Sequence, residues 1–98
     1  MKALVLAAAL LAPPALAADA ARVWEARCAD CHGKDGRGRT GMGRRLGVKD
    51  LTATAKSVPE LAADIADGIP ERKMPAYGKK LTAEQIEALA AYVKELKR

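Results

Sequence analysis

Apolar residues near the C-terminus recur at three- and four-residue steps, through Ile86, Leu89, Val93 and Leu96, which is the stripe of an amphipathic helix. Thr82-Ala83-Glu84-Gln85 opens it as a capping box, and Lys94, Lys97 and Arg98 suit the negative end of its dipole. A second capping box, Ser57-Val58-Pro59-Glu60, predicts a shorter helix with Leu61 and Ile65 on its apolar side and a stop at Gly68, after which Ile69 and Pro70 turn the chain away. A third pattern runs from Asp19, taken as an N-cap, through Val23, Trp24 and Ala26 toward Cys28. Between the first and second of these along the chain, the stretch from Gly33 to Gly47 holds six glycines interleaved with Lys34, Arg37, Arg39, Arg44 and Arg45, and reads as a loop in place of a helix. Its glycines suit either close backbone approach to another group or a flexible surface loop. No strand alternation is present, so the fold class expected is all-α, with three main helices and a glycine-rich loop.

The first residues read differently. Lys2 precedes an apolar run from Ala3 to Ala12, Pro13 and Pro14 end it, and Ala15-Leu16-Ala17 fits a leader-peptidase site, so residues 1–17 are expected to be a cleaved signal peptide and 18–98 the folded domain. As a helix the apolar run rises only about 15 Å, half of a bilayer core, which argues against a membrane anchor. Loss of those 17 residues leaves 81, and because Lys2 is their only charge the net charge falls from +5 to +4. A chain this short seldom stabilises itself by apolar burial alone. With Trp24, Tyr77 and Tyr92 as its only aromatic rings and no phenylalanine, it calls for a bulky apolar group to complete its core.

Cys28-Ala29-Asp30-Cys31-His32 supplies the chemistry for such a group. In Cys-x-x-Cys-His the two thiols add across the vinyl groups of a haem, and the adjacent imidazole reaches the iron as proximal ligand. His32 is the only histidine, so the motif occurs once and one covalent haem c is expected. Rival readings are a Cys28–Cys31 disulfide, permitted by export, a redox dithiol, which lacks its βαβ setting, and structural zinc, which lacks a full set of Cys and His ligands. For the opposite axial position only Met42 and Met74 offer sulfur once the leader is gone. Met74 is favoured: it lies 42 positions after His32, between two helical patterns, and Pro75 holds it toward an extended backbone. Core packing is the plainer role for either methionine.

The chain resembles the small monohaem class I c-type cytochromes. The resemblance is carried by Trp24-Glu25-Ala26-Arg27-Cys28-Ala29-Asp30-Cys31-His32-Gly33, by Lys73-Met74-Pro75-Ala76-Tyr77 and by Leu89-Ala90-Ala91-Tyr92-Val93. It implies a cytochrome c-like fold around one haem, His32 and Met74 as axial ligands, first and last helices crossing with Trp24 and Tyr92 in contact, and Trp24 and Tyr77 in the haem pocket. Two positions depart from the pattern: the glycine loop lacks the proline whose carbonyl often receives the proximal imidazole N–H, and Ala20 or Ala21 stands where relatives carry glycine.

The function expected is transfer of single electrons between redox proteins, without enzymatic activity, by a monomer in a bacterial periplasm. A thioether ligand and burial raise the potential relative to two histidines, so a moderately positive value is expected. The basic balance suits acidic docking patches, with Lys34, Arg37, Lys73, Lys79 and Lys80 as candidates. Nucleic acid is excluded as a partner by the lack of a basic-aromatic stripe and by export. The alternatives are a haem subunit of a larger redox complex, or an open-site haem protein that binds peroxide or gases.

Overall fold

The computed structural model describes residues 14–96, so residues 1–13 of the expected leader, and Lys97 and Arg98, expected in the final turns of the last helix, lie outside the described residues. Helix α1 spans Pro14–Val23. It passes straight through Asp19, which is therefore not its N-cap: the alanine-rich run around it is a strong helix former and carries the helix ahead of that residue. The Asp19 carboxylate instead accepts a 2.9 Å bond from the Gln85 amide.

The chain runs on as a π turn, Trp24–Cys28, in which the Ala29 N–H bonds to the Trp24 carbonyl five residues back. It then resumes as α2, Ala29–His32. The glycine-rich stretch is not all loop, because α3 occupies Gly41–Leu46. Intrinsic propensity gives no hint of this helix, since glycine is a poor former. Tertiary contacts make it instead. Thr40 caps it, accepting from Gly43 N–H at 2.8 Å, while the same hydroxyl donates to the Asp30 carbonyl at 2.6 Å and so ties α3 to α2. Gly43 lies against the carbonyls of Cys31 and Gly38, where any Cβ would collide with both.

Helix α4 spans Val58–Asp67 and α5 spans Ala83–Lys94, each opened by the capping box that the sequence predicts. Single 3-10 turns at Leu51–Ala53 and Pro70–Arg72 join the longer elements. No strand is present among the described residues, only a single bridge between Ile69 and Met74, and the all-α expectation holds. No helix among them is long and apolar enough to cross a membrane.

The core forms where α1 and α4 both pack on α5. Ala20, Trp24, Leu61, Ala88, Leu89, Ala90 and Val93 are buried together, and the alanines at 20, 88 and 90 let the backbones approach closely. Trp24 and Tyr92 meet at 5.5 Å between ring centroids, as the resemblance implies.

The glycine contacts give a contrast that unfolding can measure. Gly43→Ala forces a methyl group into the Cys31 turn and is expected to cost about 1–3 kcal/mol in urea denaturation. Gly41→Ala, with nothing within 4 Å of its new Cβ, should be neutral or slightly stabilising. Equal effects at the two positions would contradict the packing described.

Candidate metal centre

The segment from Trp24 to Gly33 places three potential ligating or anchoring groups. Cys28 ends the π segment, Cys31 lies one turn on in α2, both half-buried, and His32 ends α2. Burial pushes the Cys28 thiol up to about 11, against a smaller opposing effect of the Arg27 charge. Burial also holds the His32 imidazole below the ordinary histidine range. Trp24 stacks on His32 with centroids 5.6 Å apart and planes at 30°, and its Nε1–H donates to the Gly33 carbonyl at 3.1 Å.

A second segment faces this turn. Met74 is paired with Ile69 through reciprocal backbone bonds, Ile69 N–H to Met74 O at 3.0 Å and Met74 N–H to Ile69 O at 3.1 Å. Beyond it Tyr77 N–H and Gly78 N–H bond to the carbonyls of Ile65 and Ala66, so both sides of the loop are fastened to the end of α4. Gly68 ends that helix at a φ of 74°, and a Cβ there would lie 2.8 Å from the Met74 carbonyl, so a side chain would displace the loop. The Tyr77 hydroxyl makes a long 3.5 Å contact to the Arg27 carbonyl and links the two segments. Its pKa is raised, mainly by burial and then by the neighbouring Cys28.

Between them lies a cavity of about 620 Å³ whose walls include Cys28, Cys31, His32, Met74 and Tyr77. Leu46, Val48, Leu51, Leu61 and Ile69 make much of the remaining wall apolar. The volume falls in the range of cofactor pockets, and an apolar slot with thiols and an imidazole on one segment and a thioether on the other fits a haem. A bare ion fits less well: no cluster of three or more His, Cys, Asp and Glu side chains converges among the described residues.

Five of the six predicted site residues thus meet around one cavity. Trp24 does not line it; it is 2% exposed and stands behind His32 in the helix core. Met42, the competing sulfur, is exposed on α3 and away from the walls. Of the proposed docking cations only Lys73 borders the cavity, whereas Arg27, Lys49, Lys56 and Arg72, which sequence reasoning missed, do so as well. Lys56 is already paired with Asp64 at 2.6 Å.

No curated protein sequence matches the chain. Among solved structures the KustC0563 c-type cytochrome superposes with a TM-score of 0.71 at 30% identity, covering 81% of this chain and 98% of that one. The family model for cytochrome c oxidase, cbb3-type, subunit III, matches residues 15–93. That span takes in nearly all of the described residues, and the chain belongs to this cytochrome family.

Proposed function

We propose that the chain carries single electrons between redox proteins by means of one haem c, bonded through thioethers at Cys28 and Cys31 and held axially by His32 and Met74. The observation that carries this reading is the convergence of those four side chains on one apolar cavity, although Met74 stands 42 positions beyond His32. Bound there, haem supplies an iron that gains or loses one electron.

The chain's own residues fix the conditions for that exchange. Cys28 and Cys31, on adjacent turns, anchor the group to a segment that α3 clamps from outside. Met74 is held on a loop tied at both ends, so its sulfur can stay in place through a change of iron charge. His32 and Met74 would both bind the iron and leave it no position for a substrate, and we read the protein as a carrier in place of an enzyme. Arg27, Lys49, Arg72 and Lys73 at the cavity border suit an acidic partner, and long-range attraction of this kind speeds encounter.

A monomer exported to a periplasm after cleavage behind Ala17 is the setting this reading adopts. The family description, which names an oxidase subunit, favours as a second reading a haem subunit working inside a larger redox complex.

The assignment of the sulfur ligand is open to a direct spectroscopic test. Ferric wild-type protein is expected to show the weak near-infrared sulfur-to-iron band, and its reduced form should not bind carbon monoxide. Met74→Ala should lose the band and gain carbon monoxide binding, while Met42→Ala keeps the wild-type behaviour. Loss of the band in Met42→Ala, or its persistence in Met74→Ala, would overturn the ligand set.

A further inference from the structure

Nδ1 of His32 is buried and has no hydrogen-bond partner among the described residues. The outer nitrogen of a ligating imidazole ordinarily donates to a carbonyl, a carboxylate or water, and that bond fixes the plane of the ring. Here the ring has a different neighbour. Trp24 lies stacked on it at 5.6 Å and 30°.

The indole is itself immobilised on three sides. It is 2% exposed, Tyr92 packs on it at 5.5 Å and 45°, and its Nε1–H donates to Gly33 O in a buried bond. Gly33 follows His32 directly, so the bond ties the indole to the same turn that carries the imidazole. Backbone geometry explains how residues eight apart share a face. At about 100° per residue they would stand about 80° apart around a regular α-helix. The π turn at Trp24–Cys28 accommodates one additional residue, which reduces the offset to about 20°.

We propose that Trp24 is the positioning residue for the His32 imidazole: stacking on the tethered indole, in place of a hydrogen bond from Nδ1, sets the plane of the ring. This rests on the reading of His32 as an iron ligand. The orientation of an axial imidazole splits the iron d orbitals, so it is read in the ferric electron paramagnetic resonance spectrum. An imidazole with no acceptor on Nδ1 is also a less basic ligand, which the reduction potential reports.

The test uses the protein with its haem attached. Trp24→Leu, which removes both stack and tether, is expected to shift the ferric g-values and the reduction potential while the sulfur-to-iron band persists. Trp24→Phe keeps a ring and loses the Gly33 tether, so its g-values should stay near wild type with a broadened signal. Leu89→Ala weakens the same core at a residue 1% exposed. It should lower Tm and leave the g-values where they were.

Wild-type g-values in Trp24→Leu, or an equal shift in Leu89→Ala, would overturn the proposal. Should Trp24→Leu fail to accumulate with haem, Trp24→Phe decides alone, and an unbroadened signal there counts against it. Wild-type protein whose ferric spectrum shows no nitrogen axial ligand would sink the reading of His32 itself, a result distinct from failure of the stack.

Discussion

The buried indole of Trp24 joins the two functions that a chain this short must combine. One edge belongs to the helix core, against Tyr92 and among Ala20, Leu89 and Val93. The other meets His32, which ends the Cys-x-x-Cys-His string, and bonds to Gly33 just after it. The stability of the α1–α5 crossing is thereby transmitted to the imidazole. Aromatic pairs contribute about 0.5–1.5 kcal/mol beyond their buried area, and Trp24 takes part in two of them. Its position gives the Cys/His turn a rigid backing on the side away from the cavity.

The opposite side of the turn is clamped by polypeptide that carries no apolar stripe. Thr40 caps α3 and bonds across to α2 with one hydroxyl, and Gly43 lets the two backbones touch. What remains open is the cavity, walled by Leu46, Val48, Leu51, Leu61 and Ile69. Leu61 belongs both to this wall and to the helix core, so filling the cavity extends that core. An interior poor in aromatic side chains thus gains its largest apolar body from a ligand, which is how a domain too small to stabilise itself by its own side chains can fold.

The sequence made legible whatever was specified locally. Ser57-Glu60 and Thr82-Gln85 announced α4 and α5, because a capping box is a local exchange of hydrogen bonds. The Cys-x-x-Cys-His string and the Met-Pro loop, which the fold brings to one cavity, stood out for the same reason. Features decided by tertiary contact stayed hidden. Helix α3 is built on glycines that only make sense once the Cys31 backbone lies beside them. Asp19 looked like a cap, whereas its partner is Gln85, 66 positions away. Trp24 was placed in the pocket by resemblance, and the π turn that puts it behind His32 leaves no mark in the hydrophobic pattern. Arg27, Lys49 and Arg72 were overlooked because the folding of three separate segments brings them to one rim.

Covalent attachment at Cys28 and Cys31 is the claim on which the site depends. Intact-mass spectrometry of the protein purified from its own host, under denaturing conditions that strip any non-covalent group, measures it directly. The account predicts a chain beginning at Ala18 with the mass of one haem added and neither cysteine available to a thiol reagent. A mass equal to the bare polypeptide, with both thiols reactive, would contradict it.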